Sequence, residues 1–305
     1  MSWPAVSVGC GNFGGIGSAP AFFGRGQDEE EAAAIMDAAW ALGLRWFDTA
    51  DAYGGGRSES YIGRWRADRG HDPVLTTKVY NPVTGDPDDR GLRRERIRRS
   101  VTGSLERLGV DRIDLYLAHS RDVDTPLAET VAAFQELQDE GTIGAWGLSN
   151  HDAAAVREAL EHGTPALIQN AYSILDRDDE ADLLPLCAEH GIDYVPFGPL
   201  AGGWLAGRYR RGRAYPEGSR MTMRPEGYLR LANERTFDGL DRLEEAANER
   251  GVDMAALAFA WVLSHPDVAG AVCGPTRAAH LEPVLVARDI ELTAEERERI
   301  GSFFP

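Results

Sequence analysis

Residues 45–53, Arg-Trp-Phe-Asp-Thr-Ala-Asp-Ala-Tyr, join a short apolar strand to a loop that carries the carboxylate of Asp48 and the phenol of Tyr53. Two later apolar strands end in the same way, one with Lys78 and the other with His119. Reactive side chains at the carboxyl ends of successive strands are typical of a (β/α)8 barrel, in which the loops after the strands build the active site. The sequence therefore predicts an enzyme with an α/β fold, a TIM barrel of parallel strands.

The rest of the chain alternates apolar strands with amphipathic helices, as repeated βα units require. Strands are expected at residues 45–48, 74–78, 113–118, 143–148, 166–169, 193–197 and 270–273, with a weaker one near 286–290. Helices are expected at 28–42, 57–69, 126–140, 152–162, 180–190, about 234–250 and 253–264, and from 293. Residues 6–17 are interpreted as a short apolar start leading into a glycine-rich loop, and residues 201–230 as a long loop. Eight strands without a linker predict a single domain over residues 1–305.

Composition argues against several classes of function. The formal charge of −17 is unfavourable for binding nucleic acid or an anionic membrane, because both need a basic face. The arginine-rich segment 90–99 is interpreted as the solvated face of an amphipathic helix that continues to Leu108. The first residues lack the pattern of a secretory leader, and no apolar run is long enough to span a bilayer. Since the 3 cysteines are widely spaced, we expect a reducing, cytoplasmic setting.

The polar side chains at the strand ends suit proton transfer to a carbonyl oxygen. A tyrosine has a pKa of about 10, so Tyr53 would need a nearby cation, which Lys78 could supply while Asp48 holds the lysine. His119 could either pass a proton to Tyr53 or fix the carbonyl oxygen. Since these groups supply no electrons, reduction would need a nicotinamide hydride donor. The ordinary alternatives are that Asp48 caps a turn, that Lys78 is a surface charge and that His119 is structural. The shared position of these residues at strand ends favours catalysis.

Three motifs carry a resemblance to a known family. They are Asp48-Thr-Ala with Tyr53-Gly54, Ser58-Glu59 and Gly63; Asp114-Leu-Tyr116 before His119; and Gly147-Leu-Ser-Asn150. Together they resemble the aldo-keto reductases, over nearly the whole chain. The resemblance implies that Tyr53 is the general acid and that Lys78 and Asp48 lower its pKa. It also implies that His119 orients the carbonyl and that NADPH delivers the hydride.

The same resemblance implies a cofactor site at the strand ends and in the loops that follow them. The contacts implied around the nicotinamide are Asp48, Ser149, Asn150, Gln169 and the stacking ring of Phe197. Those implied for the diphosphate are Gly198, Pro199, Leu200, Ala201, Gly203, Arg208 and Arg220, with Cys10 and Gly11 from the first loop. Those implied for the adenosine phosphate are Gly274, Thr276, Arg277 and His280. Ser149 and Asn150 would equally suit a cap for the helix from Asp152, Phe197 a core position, and the arginines a solvated surface.

Two departures from the family pattern concern the cofactor. Cys10 stands where the family usually has threonine, and Pro283-Val284 stand where it often has Glu-Asn, so adenine recognition is expected to be altered. Arg277 and His280 could still meet a 2'-phosphate. We therefore expect NADPH to be preferred over NADH, with NADH as the alternative.

The substrate is expected to be a small carbonyl or alcohol compound. The residues interpreted as pocket walls are Phe22, Phe23, Tyr80 and Trp204, together with the loop at residues 80–91. Neither the particular substrate nor the oligomeric state can be predicted from the sequence.

Three rival interpretations are compatible with parts of the sequence. The first is a sugar or alcohol dehydrogenase, because the chemistry is reversible. The second is a nucleotide-sensing subunit that regulates a membrane partner, as some proteins resembling this family do. The third is a metal-dependent barrel hydrolase using His119, Asp122 and Asp124, which lacks a second well-placed histidine, so no metal site is predicted.

Overall fold

The computed structural model of the chain describes residues 3–84, 86 and 89–304. The strands are β1 (Val6–Gly9), β2 (Trp46–Asp48), β3 (Val74–Val79), β4 (Ile113–Ala118), β5 (Ile143–Ser149), β6 (Leu167–Gln169), β7 (Asp193–Tyr194) and β8 (Ala271–Cys273). The helices are α1 (Glu29–Ala41), α2 (Arg57–Arg69), α3 (Arg94–Leu108), α4 (Leu127–Asp139), α5 (Ala153–Leu160), α6 (Leu183–His190), α7 (Arg220–Met223), α8 (Glu234–Arg250), α9 (Met254–Leu263), α10 (Glu282–Arg288) and α11 (Ala294–Gly301).

The strands form one parallel, 8-stranded sheet in the order β7-β6-β5-β4-β3-β2-β1-β8. Parallel bridges pair Tyr194 with Val268 and Phe197 with Val272, so the sheet curls until its two edge strands meet. Helices connect the strands, as parallel neighbours require. The prediction of a (β/α)8 barrel is confirmed.

The strand predictions were wrong at the two ends of the chain. Residues 286–290 do not form the eighth strand: α10 covers most of them, and its buried residues Val284 and Ala287 recur at helical spacing after Pro283 in the first turn. The missing strand is β1, which lies between β2 and β8. Four residues that run directly into glycines are too few for alternation to reveal a strand.

The alternation of side chains along each strand separates an inner core from an outer one. On β4, Leu115 and Leu117 belong to the inner cluster, whereas Tyr116 and Ala118 pack in the layer beneath the helices. The inner cluster also contains Trp46, Ala145, Leu167, Val195 and Val272. Asp48, Ser149 and Gln169 follow inner-cluster residues by two, four and two positions on β2, β5 and β6, and Lys78 lies in the same phase on β3. Because alternate residues share a face, these polar side chains point into the carboxyl end of the barrel.

Two helical segments differ in detail from the predictions, and a third agrees with its prediction. The segment 201–230 contains a 3-10 turn at Ala201–Ala206, the short helix α7 and a second 3-10 turn at Leu229–Leu231. Helix α6 begins only at Leu183, because a separate 3-10 turn at Asp178–Glu180 precedes it. The arginine-rich segment 90–99 enters α3, which buries Ile97, Val101 and Leu108 as its apolar face. Within the part of the chain that the structure describes, no helix is both long and apolar enough to cross a membrane.

Candidate active site

The carboxyl end of the barrel brings together the four side chains predicted to be catalytic. Lys78 Nζ on β3 donates a hydrogen bond to Asp48 Oδ1 on β2 at 2.5 Å. Tyr53 lies in a 3-10 turn after β2, and its hydroxyl oxygen is 3.4 Å from His119 Nε2. The ammonium of Lys78 is 5.5 Å from the centre of the Tyr53 ring. The carboxylate, phenol, ammonium and imidazole therefore share one site.

The ion pair of Lys78 and Asp48 is almost completely buried, and each group has a second polar partner. Lys78 is 1% exposed, and its Nζ also donates to the carbonyl oxygen of Thr49 at 2.8 Å. Asp48 Oδ2 accepts a hydrogen bond from Gln169 Nε2 at 2.8 Å. Burial lowers the pKa of Lys78, but the charge of Asp48 and the neighbouring Tyr53 outweigh it and leave the pKa raised. The lysine is therefore a fixed cation beside the phenol.

The turn that carries Tyr53 depends on a glycine. Gly54 has a φ of 60°, and a Cβ at this position would lie 2.7 Å from the carbonyl oxygen of Phe13. Burial raises the pKa of Tyr53; Lys78 opposes this rise, whereas Asp48 adds to it. Lys78 thus acts on the tyrosine pKa in the expected direction, whereas Asp48 and the removal of the phenol from water act against it.

His119 follows β4 and faces Tyr53 edge to face, with 5.4 Å between the ring centres. Burial and then the charge of Lys78 lower the pKa of His119 to about 3. The imidazole is therefore neutral at neutral pH. Of the two roles left open by the sequence, hydrogen bonding to a carbonyl oxygen suits a neutral ring better than proton supply does.

The side chains predicted around the nicotinamide lie next to the four predicted catalytic side chains. Ser149 and Gln169 are register partners at the ends of β5 and β6. Asn150 has a φ of 58°, and its amide donates to the carbonyl oxygen of His119 at 2.8 Å. The alternative that Ser149 and Asn150 cap the next helix is wrong, because Asp152 itself accepts the free amide at the start of α5. Asparagine adopts this left-handed backbone more readily than other non-glycine residues do.

The segments predicted to hold the phosphates are basic loops at the same end of the barrel. Residues 198–203 turn repeatedly through left-handed backbone, which includes Ala201 with a φ of 46°. Arg220 is half-buried and donates to Asn12 Oδ1 at 2.9 Å, while Arg277 donates to His280 Nε2 at 2.9 Å. Among the described residues, no carboxylate pairs with Arg208, Arg220 or Arg277, although the protein carries a charge of −17. Guanidinium groups without carboxylate partners fit the phosphates of a dinucleotide.

Phe197 ends the β7 segment on the inner face, where it packs partly exposed against the inner cluster. Its place at the rim is compatible with stacking on a planar ring. Cys10 and Gly11 follow β1, and a Cβ at Gly11 would lie 3.5 Å from the Tyr53 ring, so the first loop borders this phenol. Cys10 itself is buried.

Three of the four predicted pocket walls lie partly exposed, and one does not. Phe22, Phe23 and Tyr80 retain exposed surface, and Phe23 packs against Gly55 in the turn that follows Tyr53. Trp204 is 0% exposed and packs among aromatic rings in the core, so its prediction as a pocket wall is wrong. An indole in a glycine-rich loop gives no sequence signal of its burial. Within the loop 80–91, residues 85, 87 and 88 lie outside the described residues.

The residues of the rival metal site have other partners. Asp122 Oδ2 accepts hydrogen bonds from Thr125 Oγ1 and Leu92 N at 2.7 Å, and Asp122 Oδ1 accepts one from Asp124 N at 3.1 Å. Asp122 thus closes the loop before α4. In residues 3–84, 86 and 89–304, no group of three or more His, Cys, Asp or Glu side chains is arranged to hold a metal ion.

The structure adds polar residues that sequence reasoning missed. Asp51 is fully buried, neither of its carboxylate oxygens makes a hydrogen bond in the described structure, and Arg96 NH1 lies 3.6 Å away. Burial and then the charge of Glu59 raise the pKa of Asp51 to about 8. Asn81 lies beside His119, at 3.4 Å from Nδ1. The only feature of the sequence that pointed to Asn81 was its position shortly after Lys78 in the chain.

Fold and site together define a class: a (β/α)8 oxidoreductase with a buried Lys–Asp pair, a phenol and an imidazole at the rim. The chain belongs to the aldo/keto reductase family, whose model matches residues 7–303. Enzymes of this family act on small carbonyl or sugar substrates with nicotinamide cofactors.

The similar proteins carry names that describe different functions. The chain is 35% identical over 285 residues to a probable voltage-gated potassium channel subunit beta of Arabidopsis thaliana, covering 88% of this chain and 85% of that protein. It is 33% identical over 295 residues to the NADH-specific methylglyoxal reductase of Escherichia coli, covering 91% of this chain and 88% of that protein. A solved glycerol dehydrogenase from Gluconobacter oxydans superposes with a TM-score of 0.84 at 27% identity, covering 98% of this chain and 90% of that one.

Proposed function

We propose that this protein reduces the carbonyl group of an aldehyde, ketone or sugar, with NADPH as hydride donor and Tyr53 as general acid. The observation that carries the proposal is the single cluster in which the Tyr53 hydroxyl lies 3.4 Å from His119 Nε2 and beside the buried cation of Lys78. A phenol that must release its proton needs a neighbouring positive charge, and Lys78 is held there by Asp48.

In this mechanism the protein residues bind the carbonyl oxygen and manage its proton. The neutral His119 donates a hydrogen bond that orients the carbonyl oxygen toward the Tyr53 hydroxyl. Tyr53 gives its proton to that oxygen as negative charge develops there, and Lys78 stabilises the resulting phenolate. A nicotinamide held at this site would supply the hydride for the carbonyl carbon. Ser149, Asn150 and Gln169 would hold its carboxamide.

The preference for NADPH rests on the loop after β8. Arg277 and His280 form a hydrogen-bonded pair at this loop, and no carboxylate competes for the guanidinium in the described structure. A 2'-phosphate is a strong acceptor for a guanidinium, and NADH lacks it. Because an Escherichia coli relative is NADH-specific by name, both cofactors belong in every assay.

The direct test compares the wild type with Tyr53→Phe on a broad carbonyl panel, with NADPH and NADH absorbance as the readout. We expect kcat to fall by about 10²- to 10⁴-fold in the variant, the usual contribution of a general acid. Tyr61→Phe on α2 is the matched control, because it removes the same hydroxyl away from the site and should turn over as the wild type does. Equal turnover by the wild type and Tyr53→Phe would overturn the role of Tyr53.

A second candidate is a nucleotide-sensing regulatory subunit, favoured by the 35% identity to a probable channel subunit beta. It predicts tight NADPH binding without turnover of any carbonyl on the panel. The oxidative direction, favoured by similarity to a glycerol dehydrogenase, predicts faster NADP reduction with polyols than NADPH oxidation with carbonyls. We further propose a reducing, cytoplasmic setting, supported by three free and buried cysteines.

A further inference from the structure

We propose that Asn81 is a positioning residue that holds His119 in the tautomer whose Nε2 carries the proton. This inference rests on the proposed function, in which Nε2 of His119 must donate to the carbonyl oxygen. It adds a residue to the site, and it explains how a neutral imidazole is kept in the one form that can perform this role.

The placement of the ring gives each nitrogen a separate neighbour. His119 Nε2 faces the Tyr53 hydroxyl at 3.4 Å, on the side where a carbonyl oxygen would bind. On the other side, Asn81 Nδ2 lies 3.4 Å from Nδ1. An amide NH2 can only donate, so Nδ1 acts as the acceptor. A neutral imidazole has one proton, which is then on Nε2.

Asn81 is itself fixed by a buried guanidinium. Arg96 is 5% exposed, and its NH2 donates to the backbone carbonyl of Asn81 at 3.0 Å. The same guanidinium donates to the Asp89 carbonyl at 3.2 Å and lies 3.6 Å from the carboxylate of Asp51. The residue that contacts Nδ1 is therefore part of a buried polar network rather than a free loop.

The charged and titratable groups that face His119 are few. Tyr53 comes from the turn after β2 and Lys78 from β3, while the neutral amides of Asn81 and Asn150 come from the loops after β3 and β5. No carboxylate forms an ion pair with His119 in residues 3–84, 86 and 89–304. Since no acid is present to hold a proton on Nδ1, the amide of Asn81 decides the tautomer.

Asn81→Asp tests this with almost no change of shape. The carboxylate can only accept, so it draws a proton to Nδ1 and raises the pKa of His119. Below that raised pKa the imidazolium still has a proton on Nε2, and above it only Nδ1 is protonated. We therefore expect kcat of the variant to fall as pH rises between 5 and 9, reaching about 10- to 100-fold below the wild type.

The KM for the nicotinamide cofactor should stay unchanged, which separates this effect from a general loss of structure. Asn248→Asp on α8 is the control for the same chemical change at an exposed position, and its pH profile should match the wild type. A profile of Asn81→Asp that matches the control would overturn the proposal.

A second measurement is made on the wild type and needs no turnover. Nitrogen-15 NMR of the wild type without cofactor, with the signal assigned by its loss in His119→Asn, reports directly which ring nitrogen carries the proton. We expect a protonated Nε2 and an unprotonated Nδ1 at pH 7.5; the reverse would overturn the proposal. If the wild type reduces no carbonyl with either cofactor, the proposed function fails, but the NMR result still decides the role of Asn81.

Discussion

The two halves of the barrel rim hold their functional side chains in opposite ways. The proton-transfer half (Asp48, Tyr53, Lys78 and His119) lies at the ends of β2 to β4, where the side chains are buried or half-buried and have fixed partners. The phosphate half (Arg208, Arg220, Arg277 and His280) lies in and after the loops of β7 and β8, with arginines that no described carboxylate pairs. Under the proposed function, strand ends would hold the chemistry, whereas loops could change cofactor preference without disturbing it.

The largest effect is expected from Lys78→Met. The change removes the cation that stabilises the phenolate and leaves the Asp48 carboxylate buried without its partner. We expect kcat to fall by about 10²- to 10⁴-fold. Stability should fall by about 3–5 kcal/mol, because an uncompensated buried charge is strongly unfavourable. Urea unfolding and steady-state kinetics measure the two effects separately.

The double variant Lys78→Met with Asp48→Asn is the control for that result. It removes both charges, so most of the lost stability should return while kcat stays low. If the single variant unfolds at the same urea concentration as the wild type, the buried ion pair does not carry the stability that its geometry indicates.

The next effect concerns Asp51, the buried acid beneath the proton-transfer half. Its folded pKa of about 8 lies above the unfolded value, so the unfolded state loses its proton first as pH rises. Stability should therefore decline from pH 4 toward pH 8 in the wild type. Asp51→Asn removes this decline and should be more stable than the wild type by about 5 kcal/mol at pH 8, with almost no difference near pH 4.

Urea unfolding at several pH values checks this prediction. Asp111→Asn, at an exposed position before β4, is the control and should leave the pH dependence unchanged. A stability difference for Asp51→Asn that is the same at every pH would mean that the wild-type carboxyl does not titrate in this range.

How much the sequence could predict also differs between the two halves. The proton-transfer half follows from strand alternation, because a period of two fixes which side of a strand Asp48 and Lys78 face. The eighth strand was misplaced, since β1 is four residues long and the apolar Val286, Ala287 and Ile290 recur at helical rather than strand spacing. The burial of Trp204 and the contact of Arg96 with Asn81 could not be predicted, because both depend on how irregular loops pack and no residue pattern records that packing.

A smaller effect is expected in the phosphate half. Arg277→Ala should weaken NADPH binding by about tenfold, the scale of one hydrogen bond to a charged group, and leave NADH binding unchanged. Stability and kcat at saturating NADPH should stay at wild-type values, because the arginine is exposed in the loop after β8 and is not one of the groups proposed to transfer the proton. Fluorescence titration with each cofactor gives the two dissociation constants. Arg112→Ala, before β4 at the opposite end of the barrel, is the matched control. An equal loss of affinity for NADPH and NADH would mean that Arg277 contacts a part of the cofactor that both molecules share.

The smallest effects distinguish the helix cap at Asp152 from the proposed cofactor contact at Ser149. Asp152 accepts the Ala155 amide at 2.8 Å, so Asp152→Ala should lower stability by about 1 kcal/mol and leave cofactor binding unchanged. Ser149→Ala should instead lower cofactor affinity and leave stability unchanged. Ser149 caps no helix, and its side chain lies on the inner face at the carboxyl end of β5. Urea unfolding and cofactor titration on both variants form a crossed pair of measurements. If Ser149→Ala lost stability without losing cofactor affinity, Ser149 would belong to the scaffold, and the nicotinamide contacts would be confined to Asn150 and Gln169.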